Sequence, residues 1–160
     1  LRELNVQGGE PLLASWLDDF LMRAAAFPQK IRKYVTTNGL LIDAKRAENL
    51  VRAEAILLWS IDSPRPKVYE RIRRGARYEQ LAAALAAVKQ AVARLGINPR
   101  RELNVVVMRS NFDHLGEFLP FALEYGFSVI NLVPILFNES SQEDIFAGGS
   151  PQELAFCMRA

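Results

Sequence analysis

The sequence predicts an α/β fold with a mostly parallel sheet, and three observations support that reading. Five short apolar runs begin near residues 4, 33, 55, 103 and 127, separated from one another by stretches of helical periodicity. Strands that alternate with helices in this way pair in parallel through right-handed crossovers. The 160 residues are 50% hydrophobic, enough to fill the core of one such domain.

The elements follow in order. The first run, 4–6, is extended and meets Gly8 and Gly9. Residues 11–26 then place Leu13, Trp16, Leu17, Phe20, Leu21 and Ala24 on one face, with Asp18, Asp19 and Arg23 away from it, as an amphipathic helix requires. Phe27 and Pro28 stop it. A short strand over 34–36 ends in Thr37, Asn38 and Gly39, and Asp43 is placed to cap a helix running to about Arg52. Residues 55–61 are apolar nearly throughout, as in a strand buried on both faces, with Ser60 and Asp62 at its carboxyl end. A short helix over 66–73 and a long one over 78–95 follow, the second carrying Leu81, Leu85, Val88, Val92 and Leu95 as its core stripe and ending at Gly96. After the strand 103–108, Asn111 is expected to cap a helix beginning near Phe112 that turns Leu115, Phe118, Leu119, Ala122 and Leu123 inward. Pro120 removes a hydrogen bond from that helix, so a kink or a late start is expected. Gly126 closes it, and 127–133 is the last strand. The expected division is 1–137 as the α/β portion and 138–160 as a polar linker with the start of a C-terminal helix.

Composition narrows the function classes. A formal charge of +2 does not by itself imply a nucleic-acid partner. One cysteine, Cys157, and one histidine, His114, rule out a metal site built from these types within the chain, and an internal disulfide with it. His114 reads as a helix surface residue and Cys157 as a packed thiol. No apolar run reaches the roughly 18 residues of a membrane span and no secretion signal is evident, so a cytoplasmic protein is expected. The sequence opens without Met, almost inside a strand, and stops within the apolar run 154–158. A piece of a longer protein is therefore the expectation.

In parallel α/β architectures ligands bind beyond the carboxyl ends of the strands. The polar and glycine positions there are 8–10, 37–39, Ser60 and Asp62, 109–111, and Val133 with Pro134. Glycines at 8 and 9 let the backbone approach a ligand closely. Glu10 beside them suits an ammonium group, through a charge-assisted hydrogen bond. The plainer alternative is a βα loop in which Glu10 and Pro11 form the first turn of the helix.

GGEP after one strand, TTNG after the next, SID after the third, and VVMRSN followed by a helix and YGF together resemble the radical S-adenosylmethionine superfamily. The likeness is to the branch with the molybdenum-cofactor cyclase and the SPASM-type peptide-modifying enzymes, and it spans about residues 4–135. The resemblance implies a partial (β/α) TIM-like barrel lacking its first strand, with S-adenosylmethionine across the strand tops. Gly8, Gly9 and Glu10 match the motif that receives the methionyl amino group, and Ser60 matches a serine that contacts the cofactor, with Asp62 beside it. Asn111 matches the asparagine after the fifth barrel strand, and Val133 the backbone position that touches the adenine. The plainer readings are a strand-end turn for Ser60 and Asp62, a helix cap for Asn111 and core packing for Val133.

The resemblance also implies a 4Fe-4S cluster on three cysteines, an external electron donor, reductive cleavage to a 5′-deoxyadenosyl radical, and hydrogen abstraction from a small-molecule or peptide substrate. The chain departs from the pattern there, because the Cys-x3-Cys-x2-Cys motif is absent and this fragment alone is expected to be inactive. Glu102 stands where the cyclase has a substrate lysine, which argues against that reaction. The alternative function is a cluster-free α/β binding module. A third reading, RNA binding through Arg65, Lys67, Arg71, Arg73, Arg74 and Arg77, is weakened by Glu70 and Glu79 among them, and a solvated helix face explains the cluster. The edge at 4–6, if unpaired, offers a template for a second copy and hence for a homodimer.

Overall fold

A computed structural model describes residues 1–134 and Glu143. Within them runs one parallel sheet of five strands, β1 (Glu3–Val6), β2 (Arg32–Thr37), β3 (Ala55–Ser60), β4 (Arg101–Val107) and β5 (Val129–Pro134), whose spatial order is the chain order. When every crossover has the same hand, such an order places all the helices on one face. The burial pattern marks that face. Val35, Leu57, Trp59, Leu103 and Val105 are completely buried, whereas Tyr34, Thr36, Ile56, Leu58, Ser60 and Asn104, which alternate with them, are only half-buried. Helices outside and a bare inner face, one that no described helix covers, are the layers of a partial (β/α) barrel, as expected.

This layering corrects the reading of 55–61 as a strand buried on both faces. β3 alternates strictly between buried and half-buried residues. Its apolar run hid the alternation because Ile56 and Leu58 occupy the bare face.

The helices are α1 (Leu17–Ala25), α2 (Ala44–Arg52), α3 (Pro66–Ile72), α4 (Tyr78–Leu95), the one-turn α5 (Arg109–Phe112) and α6 (Phe118–Tyr125). The continuous helix expected over 11–26 is broken. Pro11–Leu13 forms a separate 3-10 turn, Ala14 is extended with ψ 113°, and α1 starts afresh. Leu17 and Leu21 keep the buried stripe, but Leu13 and Trp16 fall off it and are 75% and 59% exposed. Asp43 caps α2 as expected, its Oδ1 accepting from Arg46 N at 2.7 Å. α4 has the expected bounds and ends at Gly96 with φ +66°.

Pro120 is the third residue of α6, where a missing N–H breaks no intrahelical bond. The late start resets the helical phase. Phe118, Phe121 and Ala122 point inward, while Leu119 and Leu123, expected inside, are exposed. Phe127 precedes β5 and meets Trp59 edge-on, ring centroids 6.2 Å apart. Trp59 also explains Gly39, since a Cβ there would lie 2.1 Å from the indole ring. The polar stretch 138–150 and the helix expected from Pro151 lie outside the described residues apart from Glu143, as does Cys157.

Candidate functional site

The expected site residues sit at the carboxyl ends of the strands. After β1, Gly8 and Gly9 have φ +100° and +56°, and a Cβ added at either would meet nothing within 4 Å. Internal packing therefore does not demand glycine at these positions. The backbone conformation does, and it leaves open space above the peptide groups.

Glu10 is more constrained than a free anion. Its Oε1 accepts from Leu12 N at 3.1 Å and from Thr37 Oγ1 at 2.8 Å, and its Oε2 accepts from Asn38 N at 2.8 Å. A carboxylate offers about four lone-pair positions, so roughly one is left. Glu10 caps the Pro11–Leu13 turn, close to the plainer reading, and its carboxylate lies at the strand tops. By gripping the end of β2 it also holds that turn out of line with α1. Thr37 and Asn38 were placed at the strand tops by the sequence, but their bonds to Glu10 were not foreseen. The only sequence signal was their place in the TTNG segment after a strand.

Ser60 ends β3 on the bare face, and its hydroxyl has no protein partner among the described residues. Asp62 lies beyond the strand, so the period-two rule that would align the two side chains does not reach it. It is buried, with Oδ1 accepting from Val106 N at 3.2 Å and Oδ2 paired with Arg73 Nη2 at 2.8 Å. Asn111 is fully buried within α5 rather than ahead of a helix, which corrects the expected cap. Its Oδ1 accepts from Met108 N, and its Nδ2 donates to the carbonyls of Asp62 and Val106, all at 2.8 Å. Asp62 and Asn111 thus lock the tops of β3 and β4 together. Glu143 adds a further tie, accepting from Arg109 N through its backbone carbonyl and from Ser110 N through its carboxylate, each at 3.1 Å. Val133 is on β5, in register with Val106, and about half exposed.

His114 is not a surface residue. It is buried, its Nε2 lying 3.1 Å from the Oγ of the equally buried Ser63. Burial, and after it the neighbouring Arg65 guanidinium, holds the imidazole below its ordinary pKa. Half of the basic cluster is engaged, Arg65 with Glu117, Arg73 with Asp62, and Arg71 with the Ser110 carbonyl. Tyr69 is buried rather than interleaved among the cations. Among the described residues no three of His, Cys, Asp and Glu are grouped to hold a metal.

The Radical SAM superfamily model matches residues 1–122. Over 147 residues the chain is 34% identical to the GTP 3′,8-cyclase of Mycolicibacterium smegmatis, an alignment covering 90% of this chain and 39% of that protein. The GTP 3′,8-cyclase of Synechococcus elongatus is 30% identical over 154 residues, covering 94% and 45%. The chain thus spans about two fifths of the length of these relatives. Among solved structures, Streptococcus suis SuiB superposes with a TM-score of 0.72 at 16% identity, over 98% of this chain and 35% of that one. Native anSMEcpe with bound AdoMet superposes with a TM-score of 0.68 at 19% identity, over 88% and 41%. At such identities the likeness establishes the fold alone.

Proposed function

The chain belongs to the Radical SAM superfamily, and from that premise we propose that it is the S-adenosylmethionine-binding portion of an enzyme that cleaves this cofactor reductively and abstracts hydrogen from a substrate. The observation that supports the reading best is the turn after β1, where two glycines of positive φ lie under open space next to a carboxylate held by three donors. The peptide groups of Gly8 and Gly9 and the remaining lone pair of Glu10 fit an ammonium group. Ser60 and Val133 would flank the rest of the cofactor. Asp62 and Asn111 act behind them, fixing the strand tops. When bound beside a reduced iron-sulfur cluster, S-adenosylmethionine supplies the radical chemistry. The chain does not fit the cluster itself, since it has one cysteine where three thiolates are needed.

The test is a titration of the isotope-labelled chain with S-adenosylmethionine, followed by amide NMR. Shifts at Gly8, Gly9 and Ser60 are expected, and they should vanish in Gly9→Val. An unchanged spectrum overturns the reading in favour of a cluster-free binding module. In a longer protein that carries the cluster ligands, bound iron and 5′-deoxyadenosine under reducing conditions are expected.

A second surface supports self-association. Among the described residues β1 pairs only with β2, and an apolar groove lined by Leu1, Leu4, Phe20, Phe27 and Ile31 runs beside it. Two copies joined through β1 would cover both the open edge and the groove. Light scattering over a concentration series should show a dimer; a strict monomer removes it.

A further inference from the structure

Glu10 keeps its donors only while two segments far apart in the chain stay together, the Pro11–Leu13 turn and the loop after β2 that begins with Thr37 and Asn38. A second residue clasps the same two segments. Arg46, in the first turn of α2, donates through Nη1 to the Leu12 carbonyl at 2.9 Å and to the Leu41 carbonyl at 3.2 Å. Its Nε lies 3.3 Å from Asp18 Oδ1 and 3.4 Å from Oδ2, at the start of α1.

The guanidinium is held on every side it uses. Nη1 carries two N–H groups, one for each carbonyl, and the planar fork turns Nε toward a third partner. Asp18 is itself fixed, since its Oδ2 also accepts from Asn49 Nδ2 at 3.3 Å, and the side chains of Arg46 and Asp18 are each 22% exposed. The Leu12 carbonyl has no other partner among the described residues, because the 3-10 turn stops at the extended Ala14. The N–H of this same residue donates to Glu10. Leu12 is buried, and its backbone joins the carboxylate on one side to the guanidinium on the other.

We propose that Arg46 is the positioning residue for Glu10. By holding the carbonyls of Leu12 and Leu41 it fixes the span across which the carboxylate reaches, and so sets how tightly the turn after β1 takes an ammonium group. Lysine would not replace it. An ammonium keeps the charge but is a point charge on a flexible stem, without the planar fork that meets two carbonyls and a carboxylate at once. The bond to Asp18 steadies α1 against α2, and the two carbonyl bonds carry the effect to Glu10.

This inference rests on the cofactor reading for its ligand, and its test has one arm that needs no ligand. In Arg46→Lys, amide hydrogen exchange is compared at Leu12 and Asn38, both donors to Glu10, and at Leu57, a core amide bonded to the Arg100 carbonyl. Exchange at Leu12 and Asn38 should rise about tenfold more than at Leu57. In the second arm, S-adenosylmethionine affinity by calorimetry should fall about tenfold. Asp18→Asn, which loosens the hold on Nε, should move both readouts the same way by a smaller factor. Arg52→Lys, on the same helix but paired with Glu48, should move neither. Exchange at Leu12 and Asn38 that rises no more than at Leu57 overturns the proposal, because Arg46 then merely helps to hold the fold. Wild-type cofactor affinity in Arg46→Lys overturns it too. If the wild-type chain shows no response to S-adenosylmethionine at Gly8 and Gly9, the cofactor reading falls by itself, and the exchange arm still decides whether Arg46 positions Glu10.

Discussion

The two faces of the sheet are made by alternate residues of the same strands, yet they serve opposite ends. On the helix face Leu57, Trp59, Leu103 and Val105 are completely buried, each large side chain contributing about 1.5–3 kcal/mol. One residue away, Leu58, Ser60, Asn104 and Val106 face the open side, where hydrogen bonds are partly unspent. Burial is thus divided by parity along each strand. A substitution can damage one face without the other.

The largest break in this comparison is Trp59→Ala. It empties the space between Gly39 and Phe127 and should cost about 3–5 kcal/mol in urea unfolding. Asp62→Asn comes next. It leaves Arg73 without its anion beneath β4, with an expected loss of about 2 kcal/mol by the same measurement and weaker cofactor binding by calorimetry. Glu10→Gln turns one acceptor oxygen toward three donors into an amino group, so about 1 kcal/mol should be lost along with cofactor affinity.

A smaller effect is expected from His114. Its imidazole is held below its ordinary value by burial and by Arg65, with Arg71 acting the same way and Glu117 and Asp113 opposing. Below about pH 6.5 the unfolded chain takes up a proton that the native state resists, so stability falls as pH drops, by at most about 1.4 kcal/mol per pH unit. Above that pH the group adds no slope. Thermal melts from pH 7.5 to 5 should show the decline, and His114→Asn should flatten it. Smallest is the stability effect of Asn131→Ala, about 0.5 kcal/mol in urea unfolding, since it removes the half-exposed bond to Asn104. A loss as large as that of Trp59→Ala would erase the division between the faces.

The parallel sheet was legible because its signals are local: five apolar runs, a long helical stripe over Tyr78–Leu95, Asp43 before α2 and Gly96 after α4. The glycine turn was legible for the same reason. The features that were misread depend on partners far along the chain. The break after Leu13 follows from Glu10 reaching Thr37 and Asn38, 27 and 28 residues away. His114 is buried because Ser63, 51 residues earlier, lies against it. Asn111 looked like a helix cap, and only the folded sheet brings the carbonyl of Asp62 to its amide. The bond between Asn104 and Asn131 carried no local signal, since the two residues lie on different strands, 27 residues apart.

Strand order that equals chain order also governs how the molecule can be assembled. No strand has to insert between two that are already joined, because β2 adds to β1, β3 to β2, and so on to β5. During synthesis the N-terminal part emerges first, so each new strand finds its docking edge already outside the ribosome. Assembly of this kind proceeds in one direction, like a zip. The growing sheet always keeps one unfinished margin, which the next βα unit extends without undoing any earlier pairing.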